Sequence, residues 1–543
     1  MQTAQPSAWS PLRQPLFRAL WTANLVSNVG TLMQGIGAAW LMTSLDPSPV
    51  MVSLVQVATT FPMFLLALPA GALADIIDRR LLLLVAQTWM LAIAAFLGVL
   101  TVWHITGAWT LILLTFALGV GAALNGPAWQ ATVLDVVPRS DLSAAVSLNS
   151  AGFNAARAIG PMLGGFIIAA AGPGAVFLLN AISFVGVIAV LFRWRRVVSA
   201  GTLPAERVFE AMRTGVRYVR HAPYLRSVYV RTIVFTVFAS AMWPMLPLIA
   251  RFELNGSSTT YGILLGFFGV GSVAGAAMLP QIRRRLSVNA LVAADTLVFA
   301  AFALVLAFSR NFAALCLTMC AAGAAWLTLL SNFNSSTQGA VPLWVRGRAM
   351  SVYLLIFFGS LAGGNALWGM VAKYTSIRVA LVASAAGMII GLLATIRYRL
   401  PDVETLDTTP ATDPETPTAV GDFDPEHGPV IVMVEYRIDP AKTRDFRQSM
   451  REVRLVRKRD GAIRWGLTRD TTDPTRFVEF YVTESWIEHL RQHHRLTVSD
   501  RAVFDRARAY HVDAGPPKVS HFVFAYESNG NGVKGETEKR GEA

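Results

Sequence analysis

The chain has 543 residues, 54% of them hydrophobic and 15% charged, with a mean hydropathy of +0.47 and a formal net charge of +13. Soluble domains carry about a quarter charged residues, so composition excludes an ordinary soluble globular protein. Up to residue 400 there are 26 Lys and Arg against 9 Asp and Glu, a net of +17, and the remainder nets −4. The basic residues sit in short loops between apolar runs, which excludes reading the charge as nucleic-acid binding.

Residues 1–15 form a polar lead without a cleavable signal pattern. Apolar runs follow at 16–42, 50–74, 81–102, 109–134, 144–170 and 174–194. A basic amphipathic stretch from Arg193 to Arg220 precedes a second set at 224–250, 260–280, 288–308, 313–337, 347–372 and 377–397. Each reaches the roughly 20 residues that a helix needs to cross a bilayer. The pattern predicts an all-α membrane protein of twelve transmembrane helices in two six-helix repeats, 1–200 and 201–400. One set of loops carries Arg79, Arg80, Arg139, Arg193, Arg195, Arg196, Arg283 to Arg285, Arg346, Arg348, Arg397 and Arg399; the other carries only Arg251, Arg310, Lys373 and Arg378. Basic loops are retained on the cytoplasmic side, so both termini are expected there. Cys316 and Cys320 fall in one apolar run, where they read as small buried side chains rather than a disulfide or a zinc site.

The two halves repeat. Gly71 matches Gly275, Arg79-Arg80 match Arg283-Arg284, Val137-Pro138 match Val341-Pro342, Ser147 matches Ser351 and Gly160 matches Gly364, all at an offset of 204. Pro15 to Arg18 matches Pro223 to Arg226 at 208. A six-span repeat in one orientation implies halves related by an axis along the membrane normal.

Residues 401–428 hold eight acidic residues, several prolines and no Lys or Arg, the composition of a disordered linker. From 429 to 528 the composition becomes that of a soluble domain. Strands are predicted at Val430 to Arg437, Arg464 to Arg469, Arg476 to Thr483 and Lys518 to Ala525. Helices are predicted at Pro440 to Lys458, Glu484 to Arg495 and Val498 to Tyr510. The order βαββαβ predicts a ferredoxin-like α+β domain, with a polar tail at 529–543. It resembles the dimeric α+β barrel group that includes antibiotic-biosynthesis monooxygenases, which implies dimerisation or ligand sensing.

The stretch Gly71-Ala-Leu-Ala-Asp75-Ile-Ile-Asp78-Arg79-Arg80 resembles the loop between helices 2 and 3 of the major facilitator superfamily, with Asp78 in place of the usual Gly. Gly160-Pro161-Met-Leu-Gly164-Gly165 resembles the Gly-Pro-x-x-Gly-Gly segment of its exporters. Asn125-Gly-Pro-Ala-Trp129-Gln130 and Arg157-Ala-Ile-Gly160-Pro161 resemble the subgroup of the enterobactin exporter and the transmembrane secretion effectors. The resemblance implies a non-enzymatic, multi-pass secondary transporter of the inner membrane, surrounded by lipid, without a cofactor. It would export a small organic molecule by alternating access, with protons as the implied drive, although span 4 lacks the intramembrane Arg of the proton-antiporter pattern. The cytoplasmic gate would comprise Asp75, Arg79, Arg80 and Asp135, with Arg346 and Arg348 of the second half placed by position to meet Asp75 or Asp135.

Polar groups at bilayer depth are costly and mark sites. Asn24, Asn28 and Thr31 share one helix face, as do Asn125, Trp129 and Thr132. Asn24, Asn28, Trp129, Asn154, Arg157 and Asn332 are the expected substrate-lining residues. Arg157 requires an acid partner, a wet cavity or an anionic substrate, and Asp295 and Asp135 are carboxylates within or near spans. In the soluble domain His489 and His493 have metal-capable spacing, but the HExxH order is absent, and a solvated or dimer-facing helix is the better reading. Import of a metabolite and a membrane-tethered monooxygenase remain the alternatives.

Overall fold

The computed structural model describes residues 9–194, 217–400, 407, 409, 411 and 428–524. Most of the acidic linker, the tail and most of the basic stretch after Arg193 lie outside the described residues. The chain divides into two compact units. The first contains the long helices, and the second contains the C-terminal sheet together with the short segments Arg217–Ala222 and Pro342–Trp344.

The first unit is built from α1 (Pro15–Leu45), α2 (Pro49–Ile76), α3 (Arg79–Val102), α4 (Ala108–Val136), α5 (Leu142–Arg193), α6 (Pro223–Ala239), α7 (Met242–Leu248), α8 (Ser258–Arg283), α9 (Val288–Phe308), α10 (Phe312–Gly339), α11 (Leu343–Tyr374) and α12 (Ile377–Ala394). Proline opens α1, α2 and α6, where its missing N–H costs no intrahelical bond. Polar caps start the helices after the loops: Asp78 accepts from Leu81 N, Asn311 from Ala314 N and Ser376 from Val379 N. The helices then present Leu, Ile, Val and Phe outward as well as inward, as helices surrounded by hydrocarbon do.

Among the described residues ten helices are long and apolar enough to cross a membrane. The difference from the expected twelve has two local causes. Asn24, Asn28, Gln34 and several Ser and Thr dilute the apolar character of the 31-residue α1. The 52-residue α5 is a single run of two helices meeting at Gly172, whose φ of 77° and ψ of 169° are not helical. Between α6 and Glu253 the expected run is also irregular: it breaks at Ser240, continues as the Pro-containing α7 and ends in a π turn over Ile249–Glu253.

The sequence repeat reappears as repeated contacts. Trp21 of α1 donates its indole N–H to Leu148 O at 3.1 Å, and Tyr229, 208 residues later, donates to Ala349 O at 3.0 Å. A Cβ on Gly160 would lie 3.2 Å from Val29 O, and one on Gly364 would lie 2.7 Å from Val237 O. Close approaches also join early helices to late ones. A Cβ on Gly165 of α5 would lie 2.6 Å from Ser258 O of α8, and one on Gly359 of α11 would lie 2.7 Å from the Phe64 ring of α2. Small residues at such crossings let backbones meet without a layer of side chains.

The second unit holds β1 (Val430–Arg437), α13 (Thr443–Asp460), β2 (Arg464–Arg469), β3 (Arg476–Thr483), α14 (Trp486–Arg495), α15 (Val498–Arg508) and β4 (Lys518–Val523). The sheet order is β2-β3-β1-β4, with every neighbouring pair antiparallel. Alternation along β1 buries Val430, Val432, Val434 and Tyr436. Phe446, Met450 and Val453 of α13 close the core over Tyr436 and Phe477.

Candidate functional site

The first limb of α5 has three distinct sides. On one edge Gly152, Gly160 and Gly164 meet Trp21, Leu32 with Val29, and Met33 of α1; on another Ala158, Pro161 and Gly165 meet Gly269 and Gly262 of α8. Ile159, Leu163 and Phe166 are exposed about half a turn away. Between the two helix-packed edges runs a polar face at i, i+3, i+7 and i+10: Ser147, Ser150, Asn154 and Arg157. The Arg157 guanidinium stacks over the Phe153 ring at 5.0 Å. Asn24 and Asn28 occupy the corresponding polar face of α1 and are half-buried, and a Cβ on Gly35, farther along the helix, would meet nothing within 4 Å. Four of the six expected lining residues therefore fall on two helices that pack together.

The other two have framework contacts. Trp129 of α4 packs with Leu20, Leu82 and Ala128. Asn332 of α10 is fully buried, and its Oδ1 accepts from Arg283 Nε at 3.0 Å and Nη2 at 2.7 Å. Asn125 accepts from Gln87 at 3.0 Å. In α10 the large inward group is Trp326, packed among Phe235, Phe268, Phe299 and Trp243.

At the end of the bundle where α3 begins, Arg79 pairs with Asp135 at 2.9 Å and also donates to Ala131 O. Arg80 donates to the carbonyls of Leu191 and Phe192 at 2.8 Å each, closing the end of α5. Arg79 to α4 and Arg283 to α10 are thus equivalent ties in the two repeats. Asp78 is a helix cap, so the residue that departs from the superfamily pattern has a local structural task. The side chain of Asp75 lies outside the described residues. Arg346 is half-buried and its Nε has no hydrogen-bond partner among the described residues; Arg348 is half-buried.

The opposite end carries a contact the sequence reading missed. Arg251, in the π turn, donates to Thr43 Oγ1 at 3.0 Å and to Ser44 Oγ, with its guanidinium 5.2 Å from the Trp40 ring. Trp40 stacks on Tyr261 with centroids 6.2 Å apart, and Ser258 Oγ donates to Gly165 O at 3.0 Å. The only sequence signal was a lone arginine in an otherwise sparsely charged loop set. Asp295 of α9 is buried and accepts from Thr328 of α10 at 2.7 Å.

In the second unit one face of α14 is buried within the chain, which corrects the expectation of a solvated or dimer-facing face for His489, while Arg491 remains exposed. Glu488, His489, Gln492 and Arg495 are all buried. His489 has ring centroids of His493 and His521 at 4.9 and 4.8 Å and Trp486 at 5.3 Å. Burial, then the neighbouring imidazoles, push its pKa down to about 3, so it is neutral at ordinary pH. Among the described residues no group of three or more His, Cys, Asp or Glu can hold a metal ion. Buried Glu479 accepts from Trp465 Nε1 at 3.0 Å, Arg457 Nε at 3.2 Å and Tyr436 Oη at 3.3 Å.

Comparison with known proteins gives a consistent picture. The Staphyloferrin A transporter of Staphylococcus aureus is 22% identical over 60% of this chain and 82% of its own length. The multidrug efflux pump Tap of Mycolicibacterium fortuitum is 25% identical over 73% of this chain and 98% of its own. The enterobactin exporter EntS of Salmonella typhimurium is 25% identical over 70% and 91%. Among solved structures, a POT family transporter in complex with 5-aminolevulinic acid superposes with a TM-score of 0.59 at 13% identity, covering 70% of this chain and 95% of that one. An inward-facing bacterial homologue of the human lysosomal transporter Spinster gives 0.52 at 15% identity, covering 72% and 95%. The two structural likenesses establish a major-facilitator-like fold. The profile of the transmembrane secretion effectors matches residues 6–529, the C-terminal sheet included, and the chain belongs to that family.

Proposed function

We propose that the chain is a secondary transporter that exports a small organic molecule of the siderophore, drug or metabolite type. The observation that carries this reading is the family match over nearly the whole length, on a fold shared with transporters. The relatives named above are exporters, efflux pumps or transporters, and none is an oxygenase.

In this reading α1 and the two limbs of α5 are spans in their own right, which brings the count to twelve, with the basic loops and both termini cytoplasmic and the protein in the inner membrane. Two six-helix halves rock about the α5–α8 and α2–α11 crossings. Asn24, Asn28, Asn154 and Arg157 contact the cargo, while Trp129 and Asn332 hold the helices behind them. Arg79, Arg80 and Asp135, with Asp75, Arg346 and Arg348, act on the cytoplasmic side. The Arg251 contacts join α1 to the π turn on the other side. Proton drive rests on the resemblance alone, and Asp295 is the intramembrane carboxylate available to it. The order β2-β3-β1-β4 with helical crossovers supports a ferredoxin-like C-terminal domain, suited to dimerisation or ligand sensing.

The test is transport in everted membrane vesicles with labelled siderophores and drugs, with and without an imposed proton gradient. Cargo accumulating inside everted vesicles supports export. Uptake only into right-side-out vesicles would replace export with import.

A further inference from the structure

We infer that Arg157 is the receptor for an acidic group on the cargo, so that the transported class is organic anions bearing a carboxylate, phosphate, sulfonate or ionised catechol. This rests on the proposed reading of the chain as a transporter, and deepens it by naming the substrate class.

A guanidinium well inside a span keeps its charge and needs an anion, a wet cavity or both. Every described carboxylate of the helical unit is engaged elsewhere. Asp46 accepts from Ser48 N, Asp78 from Leu81 N and Asp141 from Ser10. Asp135 pairs with Arg79, Glu253 with Arg310, and Asp295 accepts from Thr328. Arg157 has the Phe153 ring at 5.0 Å, and among the described residues no carboxylate lies within ion-pair distance of it. An aromatic face attracts the cation without neutralising it.

Arg283 is taken up by Asn332, and Arg231 reaches the carbonyl of Thr395 at the end of α12. Both have a structural acceptor within the bundle, although Arg231 Nε and Nη1 are buried without a partner among the described residues. Among the described residues Arg157 has no hydrogen-bond acceptor, and it stands on the polar face with Ser147, Ser150 and Asn154 rather than on the apolar face of Ile159, Leu163 and Phe166. That placement favours a ligand inside the bundle over a phospholipid headgroup at the lipid surface. A planar fork suits bidentate recognition of an oxyanion, with hydroxyl and amide groups beside it to complete the contacts.

The test uses the full chain reconstituted in phosphatidylcholine vesicles and two dye sets. One is anionic (carboxyfluorescein, calcein, pyrenesulfonate), and the other cationic (ethidium, rhodamine 6G). Wild type should move the anionic set. Arg157→Gln should slow it at least tenfold, while Arg157→Lys, which keeps the charge but not the planar fork, should fall between Gln and wild type, with all three proteins melting at the same temperature. If wild type moves only the cations, or if Arg157→Gln moves anions normally, the anion inference falls and transport stands. A loss confined to vesicles containing anionic phospholipid assigns the arginine to a headgroup and overturns the inference. Movement of neither set, in vesicles that hold a proton gradient, defeats the transporter reading and the inference with it.

Discussion

Asp135 and Arg79 form an ion pair whose side chains are each 24% exposed. Such a half-screened pair contributes about 0–1 kcal/mol to stability, so its importance should show in transport rather than in melting. Asp135→Arg or Arg79→Asp alone should slow transport about tenfold, and the double swap should recover most of the rate, measured in the same vesicles. His489 is the sharper residue for stability. Its folded pKa lies below the ordinary value of 6.5, so the unfolded chain takes up the proton first as pH falls. Its contribution is therefore full above pH 6.5 and declines towards pH 3, at about 1.4 kcal/mol, or tenfold in the unfolding equilibrium, per pH unit. Amide exchange of residues 430–437 in the full chain, corrected for intrinsic rates, should show that slope in wild type. His489→Gln should flatten it.

At the scale of elements, glycines divide by what surrounds them. A Cβ on Gly165 would press on Ser258 O at 2.6 Å and on Gly262 Cα at 3.0 Å, both backbone atoms that cannot rotate away. Gly165→Leu should therefore separate α5 from α8, lower stability by about 1–3 kcal/mol and stop transport. Gly172, at φ 77°, ψ 169°, joins the two limbs of α5 in backbone space closed to other residues. Gly172→Ala should cost about 1–3 kcal/mol by strain alone. Gly186→Ala, where the added methyl meets nothing within 4 Å, is the control and should melt like wild type. Element positions were legible because apolar runs and polar caps are local signals. The turn at Gly172 was legible too, from Ala171-Gly172-Pro173, whereas the break and π turn between Ser240 and Glu253 were not. Pro244 and Pro247 lie in a continuous apolar run, and where the helix yields there depends on its neighbours.

For the whole molecule, loop charge and the Arg251 contacts make two linked predictions. In a background with Cys316 and Cys320 replaced by serine, single cysteines at 283 and 310 should react with an impermeant maleimide from opposite faces of the membrane. In the same background Arg251→Ala should raise the reactivity of Thr43→Cys from the non-cytoplasmic face several-fold. Unchanged labelling would show that Trp40, Tyr261 and the glycine crossing hold that end closed without the arginine.

Sequence by itself determined the membrane class, the order of strands and helices in the C-terminal domain and the polar residues of α1 and α5. Each depends on composition, periodicity or spacing along one chain, and those signals survive without knowing any neighbour. Tertiary structure decided what each polar side chain is free to do. Asn332 and Arg157 look alike in a hydropathy trace, but one is claimed by Arg283 and the other has, among the described residues, an aromatic ring and no acid beside it. His489, expected at a solvated or dimer-facing surface, became a buried neutral ring because residues 32 positions away, in β4, pack over it. Satisfaction of a buried charge or polar group is a property of the partners that folding brings up, and no local pattern records it.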